Sequence, residues 1–492
     1  LSKSGTQEKI KSYIFIILVF VSVSFFMDLY LLNHVSSGSG FNEKLEGYPN
    51  ILLVVLDTTR ADHLSVYGYP LNTSPNIDRF AQDSVVFENA QVPSTLSLEA
   101  QSSVFTGRYS RNTRVTRRNQ FLNLNETTLA EILRKKGYNT AGFTANSYTK
   151  RKYGIAQGFT TYKDRMNFFE YIQTFDKFSM RSIIVSRIIP LLSITPFFDS
   201  GFEKTAEEVN NDVFKWFDKN KNSKPFFVYI NYVDPHAQYT LGSEFKSQFT
   251  NDTRDSKYYR RFLDIENTRN YEIFEEVSRD IMDTIIALYD TEIFYADHHF
   301  GKLLEKLNQL NLKNNTIIIF TSDHGEDFYY EHGYFGHGFT LYESSTHVPL
   351  VIHYPEEFEA QLIKKRIGII DIFSTILDIL DIETPENIDG ASLVPLIKNE
   401  GNYMQEYVLS ELYGREGIDP YKQQIAISND DWKLIEVEGW EHTGQDDGIV
   451  TSGLFNLRTD PKEERNLYNT YTDKRRLLQD YLINITKNTQ KD

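Results

Sequence analysis

Asp57, Asp323 and His324 are residue types that hold a divalent cation, and each stands at the end of an apolar run. The first run, Asn50 to Leu56, leads into Asp57-Thr58-Thr59-Arg60-Ala61-Asp62-His63. The second, Thr316 to Thr321, leads into Ser322-Asp323-His324-Gly325-Glu326. Both are too short for a helix on their own and suit central strands of a parallel sheet, buried on both faces. A carboxylate just past the carboxyl end of such a strand lies where open α/β sheets bind their ligands. The two stretches are therefore expected to share one cation.

A third stretch, Pro93 to Gly107, reads as a loop running into a short helix that Gly107 closes. A serine in the first turn of such a helix commonly serves only as its N-cap. Beside a divalent cation the same hydroxyl gains chemical value, because metal and helix N-terminus both favour negative charge there.

These residues need a frame to position them. Strand-like and helical segments alternate along the chain, which points to an α/β class. Glu126 to Lys136 has helical periodicity and precedes the strand-like Tyr138 to Phe143; Lys224 to Tyr232 reads as another buried strand, ending at Asp234-Pro235-His236. Ile281 to Leu310 reads as a long amphipathic helix, and residues 366–380 as one more. Residues 176–198 are unusually apolar and read as a helix pair packed on the body, with an in-plane membrane segment as the alternative. Past residue 400 short β-like pieces, a turn-rich Leu457 to Pro461 and a terminal helix suggest a small α+β subdomain over 401–492, after a body spanning 49–400.

At 492 residues the chain can bury a large core. A net charge of −16 argues against non-specific nucleic-acid binding. Arg108, Arg111, Arg114, Arg117 and Arg118 are the local exception, read as a solvated loop in preference to an anion-attracting collar. There is no cysteine, which excludes disulfides and a cysteine nucleophile. Tyr13 to Leu32 is apolar except for Asp28 and long enough for one span. Lys3, Lys9 and Lys11 precede it, so residues 1–12 are expected in the cytoplasm and the rest outside, joined by a tether over 33–48. A cleaved signal peptide, cut near Ser36-Ser37-Gly38, is the competing reading.

The segments DTTRADHLSVYGY, the serine stretch ending in FTG, GYNTAGFTANSY, FFVYINYVDPHAQY, TEIFYADHHFGKLL, TSDHGED, LYESSTHVPLVI, DGASLVPLI and LFNLRTDPKEERNL occur in the order seen in sulfatases. Over residues 49 to about 470 the chain resembles the sulfatase branch of the alkaline-phosphatase superfamily. The resemblance implies a mixed central sheet flanked by helices, a metal at its carboxyl end, and chemistry at a sulfate or phosphate ester. It also implies roles. Asp57 and Asp323 match metal aspartates, Thr58 stands for a second aspartate, and His324 stands where others have asparagine or histidine. Ser97 falls on the nucleophile position, His236 matches a contact to the anionic group, and His337 matches a leaving-group acid or anion ligand. Asn146 and His332 are carried over as substrate-binding residues.

The nucleophile motif departs from the family. Sulfatases carry C-x-P-x-R or S-x-P-x-R, whose first residue becomes formylglycine; here the stretch is Ser97-Leu98-Glu99-Ala100-Gln101. That argues for an unmodified serine. An oxygen-rich shell with one imidazole tilts the cation toward manganese, zinc or magnesium, with calcium as the further option. The expected function is a membrane-anchored, metal-dependent hydrolase of sulfate or phosphate esters, with a glycan or lipid as the candidate carrier of the ester. The alternatives are a phosphoryl-group transferase or phosphodiesterase using plain serine, and an inactive surface binding protein.

Overall fold

Every residue of Asn50–Leu56 is buried, as a strand covered on both faces requires. In the computed structural model this strand, β1, lies at the centre of an eight-stranded sheet. The structure describes residues 47–164, 204–221, 225–237, 239, 244–254, 258–259, 278–401, 403–413, 423–437 and 451–487. The expected span at Tyr13 to Leu32, its tether, and the apolar 176–198 segment lie outside these residues. Among the described residues no helix is long and apolar enough to cross a membrane.

The other strands of the large sheet are β2 (Val85–Gln91), β3 (Asn139–Thr144), β4 (Thr161–Lys163), β5 (Phe226–Tyr232), β6 (Thr316–Thr321), β7 (His347–His353) and β8 (Gln361–Gly368). Their order is β4-β3-β5-β1-β6-β7-β2-β8. From β4 to β6 all neighbours are parallel, and β7 runs antiparallel to both β6 and β2. The sheet is thus mixed, with its parallel half around β1.

Register decides what meets at the carboxyl end. Thr144 on β3 pairs with Asn231 on β5, Asn231 with Val55 on β1, and Val55 with Thr321 on β6. Asn146, Asp57 and Asp323 each stand two residues beyond that row and so leave the sheet at one level.

Helices cover both faces. On one, Arg279–Gln309 and Ala206–Asn220 bury Tyr289, Phe300, Val213 and Phe217 against Leu52, Val228 and Phe320. On the other, Ser97–Thr106 and Ile372–Ile379 join Ile51, Leu53, Tyr229 and Ile319. Residues 366–380 do not form one helix: Arg366 to Gly368 complete β8, and the helix proper begins at Ile372. Ile367 and Gly368 pair with Ala90 and Gln91, so sheet pairing overrides helical periodicity there. Asp371 then accepts from the Gly368 N–H at 3.1 Å and fixes the turn between strand and helix.

A second, antiparallel sheet contains β9 (Val408–Leu412), β10 (Gln424–Ser428), β11 (Trp432–Val437) and β12 (Gly453–Asn456). Leu478 and Leu482 of the helix Thr472–Lys487 pack on its Leu409, Ile427, Leu434 and Leu454. β9 reaches the loop that precedes Ser97 directly: the Glu411 N–H donates to the Pro93 carbonyl at 2.8 Å. A buried charge cluster ties β11 to the large sheet. Lys433 Nζ lies 2.9 Å from Glu343 and 3.2 Å from Glu463, and Arg366 lies 2.9 Å from the other Glu343 oxygen.

Candidate active site and metal centre

The helix Ser97–Thr106 starts one residue earlier than a Ser97 cap would place it. Leu96 occupies the cap position with extended backbone, and Ser97 is the first helical residue. Its hydroxyl is therefore not spent on its own helix and lies 3.1 Å from His324 Nε2. The helix is fixed at its other end by Gly107, whose φ of +67° closes the last turn. A side chain there would meet Phe373 and Ile388 at 2.8 Å, so only glycine fits. Between the ends, Phe105 packs edge-on against Tyr229 of β5, with ring centroids 4.9 Å apart.

Asp57, Asp323 and His324 converge as the register requires. Each offers a ligand atom within 4.8 Å of the others, and all three are buried. His324 Nδ1 lies 3.0 Å from the Gly325 carbonyl. A proton on Nδ1 donates there, so Nε2 presents its lone pair to Ser97, to Asp57 at 3.8 Å and to Asp323 at 3.9 Å. Burial holds the His324 pKa well below the usual histidine range, which keeps the ring neutral.

Thr58 completes the group. Its φ of +53° is a left-handed conformation that a β-branched residue rarely adopts, and such strain clusters at functional sites. Its hydroxyl is fully buried and has no hydrogen-bond partner among the described residues. An orphaned hydroxyl beside two carboxylates and an imidazole lone pair is a donor set that fits one divalent cation.

Neutral amides hold the carboxylates. The Asn146 carboxamide donates to Asp57 Oδ2, and Gln101 Nε2 donates to Asp323 Oδ2 at 2.8 Å. The Tyr229 hydroxyl donates to Gln101 Oε1, which settles the amide's orientation. Asn146 thus lies against a metal-site carboxylate, closer to the centre than a substrate contact alone implies.

Beyond the cluster three imidazoles form a column. His337 stacks on His324 with centroids 4.3 Å apart, and His236 meets His337 edge-on at 5.0 Å. His337 Nδ1 lies 3.0 Å from Glu326 Oε1. Tyr239 donates to the other Glu326 oxygen at 3.4 Å. Arg117 holds the same loop by donating to the Gly338 carbonyl at 2.6 Å.

His332 does not join them. It stacks on Tyr342 at 3.7 Å, beside the small sheet, and burial pushes its pKa down to about 4. The arginine cluster is largely tied into the fold: Arg108 pairs with Glu126 at 2.7 Å and Arg111 with the buried Glu411 at 2.9 Å. His63 fixes its loop, as its position implies, through Asp290 at 2.8 Å.

Gln101, Tyr229 and Glu326 are site residues that spacing did not single out. Gln101 had a signal, since it replaces an arginine, and Glu326 closes the TSDHGE stretch. Tyr229 sits in mid-strand among apolar residues and had none.

This fold and site define an α/β ester hydrolase of the alkaline-phosphatase type. Residues 49–382 match the sulfatase family, and residues 330–489 match the C-terminal part of N-sulphoglucosamine sulphohydrolase. The chain belongs to the sulfatase family, a family of sulfuric ester hydrolases. It is 24% identical to an N-acetylglucosamine-6-O-sulfatase of Bacteroides thetaiotaomicron, over 85% of this chain and 82% of that one. It is also 24% identical to an arylsulfatase of Clostridium perfringens, over 89% and 93%. Among solved structures, the phosphonate monoester hydrolase of Agrobacterium radiobacter superposes with a TM-score of 0.68 at 20% identity, over 90% of this chain and 96% of that one. A protein bound to its substrate D-glucosamine-2-N,6-O-disulfate gives 0.68 at 19% identity, over 90% and 99%.

Proposed function

We propose that this chain is a metal-dependent sulfate-ester hydrolase acting on a sulfated glycan, with the unmodified Ser97 hydroxyl as nucleophile. The observation that carries the reading is the Ser97–His324 contact beside Asp57 and Asp323. Relatives that act on sulfated glucosamine support the substrate class. The apolar Tyr13 to Leu32 run with its preceding lysines supports a single-span anchor with the catalytic body outside.

Asp57, Asp323 and Thr58 would hold the cation, while His324 Nε2, hydrogen-bonded to Ser97, is kept as the base. When bound, a divalent cation supplies Lewis-acid stabilisation of the charge on the ester's oxygens. Ser97 Oγ attacks sulfur in line while its proton passes to His324 Nε2 along the existing hydrogen bond. The bond from sulfur to the leaving oxygen breaks, and His337 Nε2 protonates that oxygen. His236 donates a hydrogen bond to the sulfuryl group. In the second half, water attacks sulfur and gives its proton to His337, and Ser97 leaves and recovers its proton from His324. The net reaction is ester plus water to alcohol plus sulfate.

The mass of the peptide bearing Ser97, measured alongside turnover of aryl sulfate, tests this directly. An unmodified serine with sulfate release is the expected result; formylglycine at Ser97 refutes the plain-serine mechanism. A second reading, phosphoryl or phosphonyl transfer from the same serine, is favoured by the likeness to phosphonate monoester hydrolases. Phosphodiester turnover exceeding sulfate release in the same assay would establish it instead.

A further inference from the structure

Asp323 lies at the cation site without a cationic partner. Its Oδ2 accepts from Gln101 at 2.8 Å, and its Oδ1 accepts from the backbone N–H groups of His324 at 3.1 Å and Thr58 at 3.4 Å. Among the described residues no lysine or arginine side chain pairs with it. Gln101 is itself 2% exposed and can offer its N–H only one way round, because Tyr229 donates to its oxygen. The three groups form a directed chain, tyrosine hydroxyl to amide oxygen, then amide N–H to carboxylate.

Such a chain does two separable things. It locks one carboxylate oxygen, which sets the rotamer of a metal ligand. It also leaves the carboxylate's charge in place, where an arginine would offset it and repel a divalent cation at close range. Thr58, on the opposite side of the same carboxylate, is likewise neutral. Asn146 repeats the arrangement on Asp57.

We propose that Gln101, oriented by Tyr229, is a positioning residue that sets Asp323 for cation binding while preserving its negative charge for the cation. This rests on the metal-centre reading. The affinity of the site is then governed by the summed charge at positions 58 and 101, both of which touch Asp323.

Calorimetric titration of the chelator-treated full chain with Mn2+, Mg2+, Zn2+ and Ca2+ tests it, with melting temperature in chelator as the measure of folding. Gln101→Met keeps size and neutrality but loses both hydrogen bonds, and is expected to weaken binding about tenfold. Gln101→Arg is expected to weaken it further, Thr58→Asp to strengthen it, and the Thr58→Asp/Gln101→Arg double variant to return to within about threefold of wild type. That compensation is the signature of an affinity set by the summed charge at the two positions. A cavity of about 10 Å3 bordered by Gln101, Tyr229 and Asp323 leaves little slack for the arginine. Should Gln101→Arg melt in chelator below the assay temperature, Gln101→Met and Thr58→Asp decide the matter. Unchanged affinity in folded Gln101→Met, or a double variant that stays as weak as Gln101→Arg, overturns the proposal. A wild-type protein that binds none of the four cations overturns the metal centre itself, a distinct failure.

Discussion

The Ser97 hydroxyl sits 3.1 Å from His324 Nε2, although 227 residues separate the two in the chain. The contact joins the start of one helix to the end of a strand on the far side of the sequence. In the proposed mechanism turnover depends on Ser97. Ser97→Ala should reduce sulfate release by about 10³-fold or more, with cation affinity nearly unchanged. Steady-state kinetics paired with calorimetry check this, and full activity in the variant would remove Ser97 from the mechanism.

In the proposed mechanism His337, held by Glu326, protonates the leaving group. His337→Ala should lower kcat by about 10²–10⁴-fold on an alkyl sulfate. The loss should be much smaller on an aryl sulfate whose leaving phenolate needs no proton. Glu326→Gln should follow the same pattern with smaller amplitude, because it loosens His337 without removing it. An equal loss on both substrates would assign these residues to folding rather than proton transfer.

Glu99 stands where related enzymes carry a proline, and burial pushes its pKa up to about 8 despite a hydrogen bond from Ser94 at 2.7 Å. A carboxyl whose pKa is raised by folding adds stability below its unfolded value, and that stability drains away as pH rises to the folded value. The wild type should therefore lose melting temperature between about pH 4.5 and 8 relative to Glu99→Gln, with the gap levelling off above that. Parallel melting curves for the two proteins across this range would reveal no widening if Glu99 were ionised throughout.

Lys433 pairs with two carboxylates, the partly buried Glu343 and the buried Glu463, at the junction of the small sheet with the large one. Lys433→Met would strand that charge and should destabilise the protein by about 3–5 kcal/mol. Pairing it with Glu463→Gln should recover part of the loss. Chemical denaturation of the single and double variants measures both, and a single variant within about 1 kcal/mol of wild type would contradict the cluster's role.

The carboxylates of the candidate metal site could be singled out because their signal is local. An apolar run ending in acid identifies both a buried strand and the residue at its mouth, and Asp57 and Asp323 emerge at one level once β1 and β6 pair in register. Strand and helix positions followed from periodicity over most of the body. They failed at residues 366–368, where pairing with β2 outweighed a helical pattern.

What the chain determined by itself was composition at each strand end: the acids, the absence of cysteine, and the broken nucleophile motif. Tertiary structure decided which of the remaining polar residues meet. It turned Ser97 toward His324, placed His337 between His324 and His236, and sent His332 to Tyr342. It also converted Gln101 from a missing arginine into a neutral strut for Asp323, through a tyrosine 128 residues away. The reason is physical. Hydrophobic periodicity specifies burial one element at a time, whereas hydrogen-bond partners across a site depend on register and packing between elements distant in sequence.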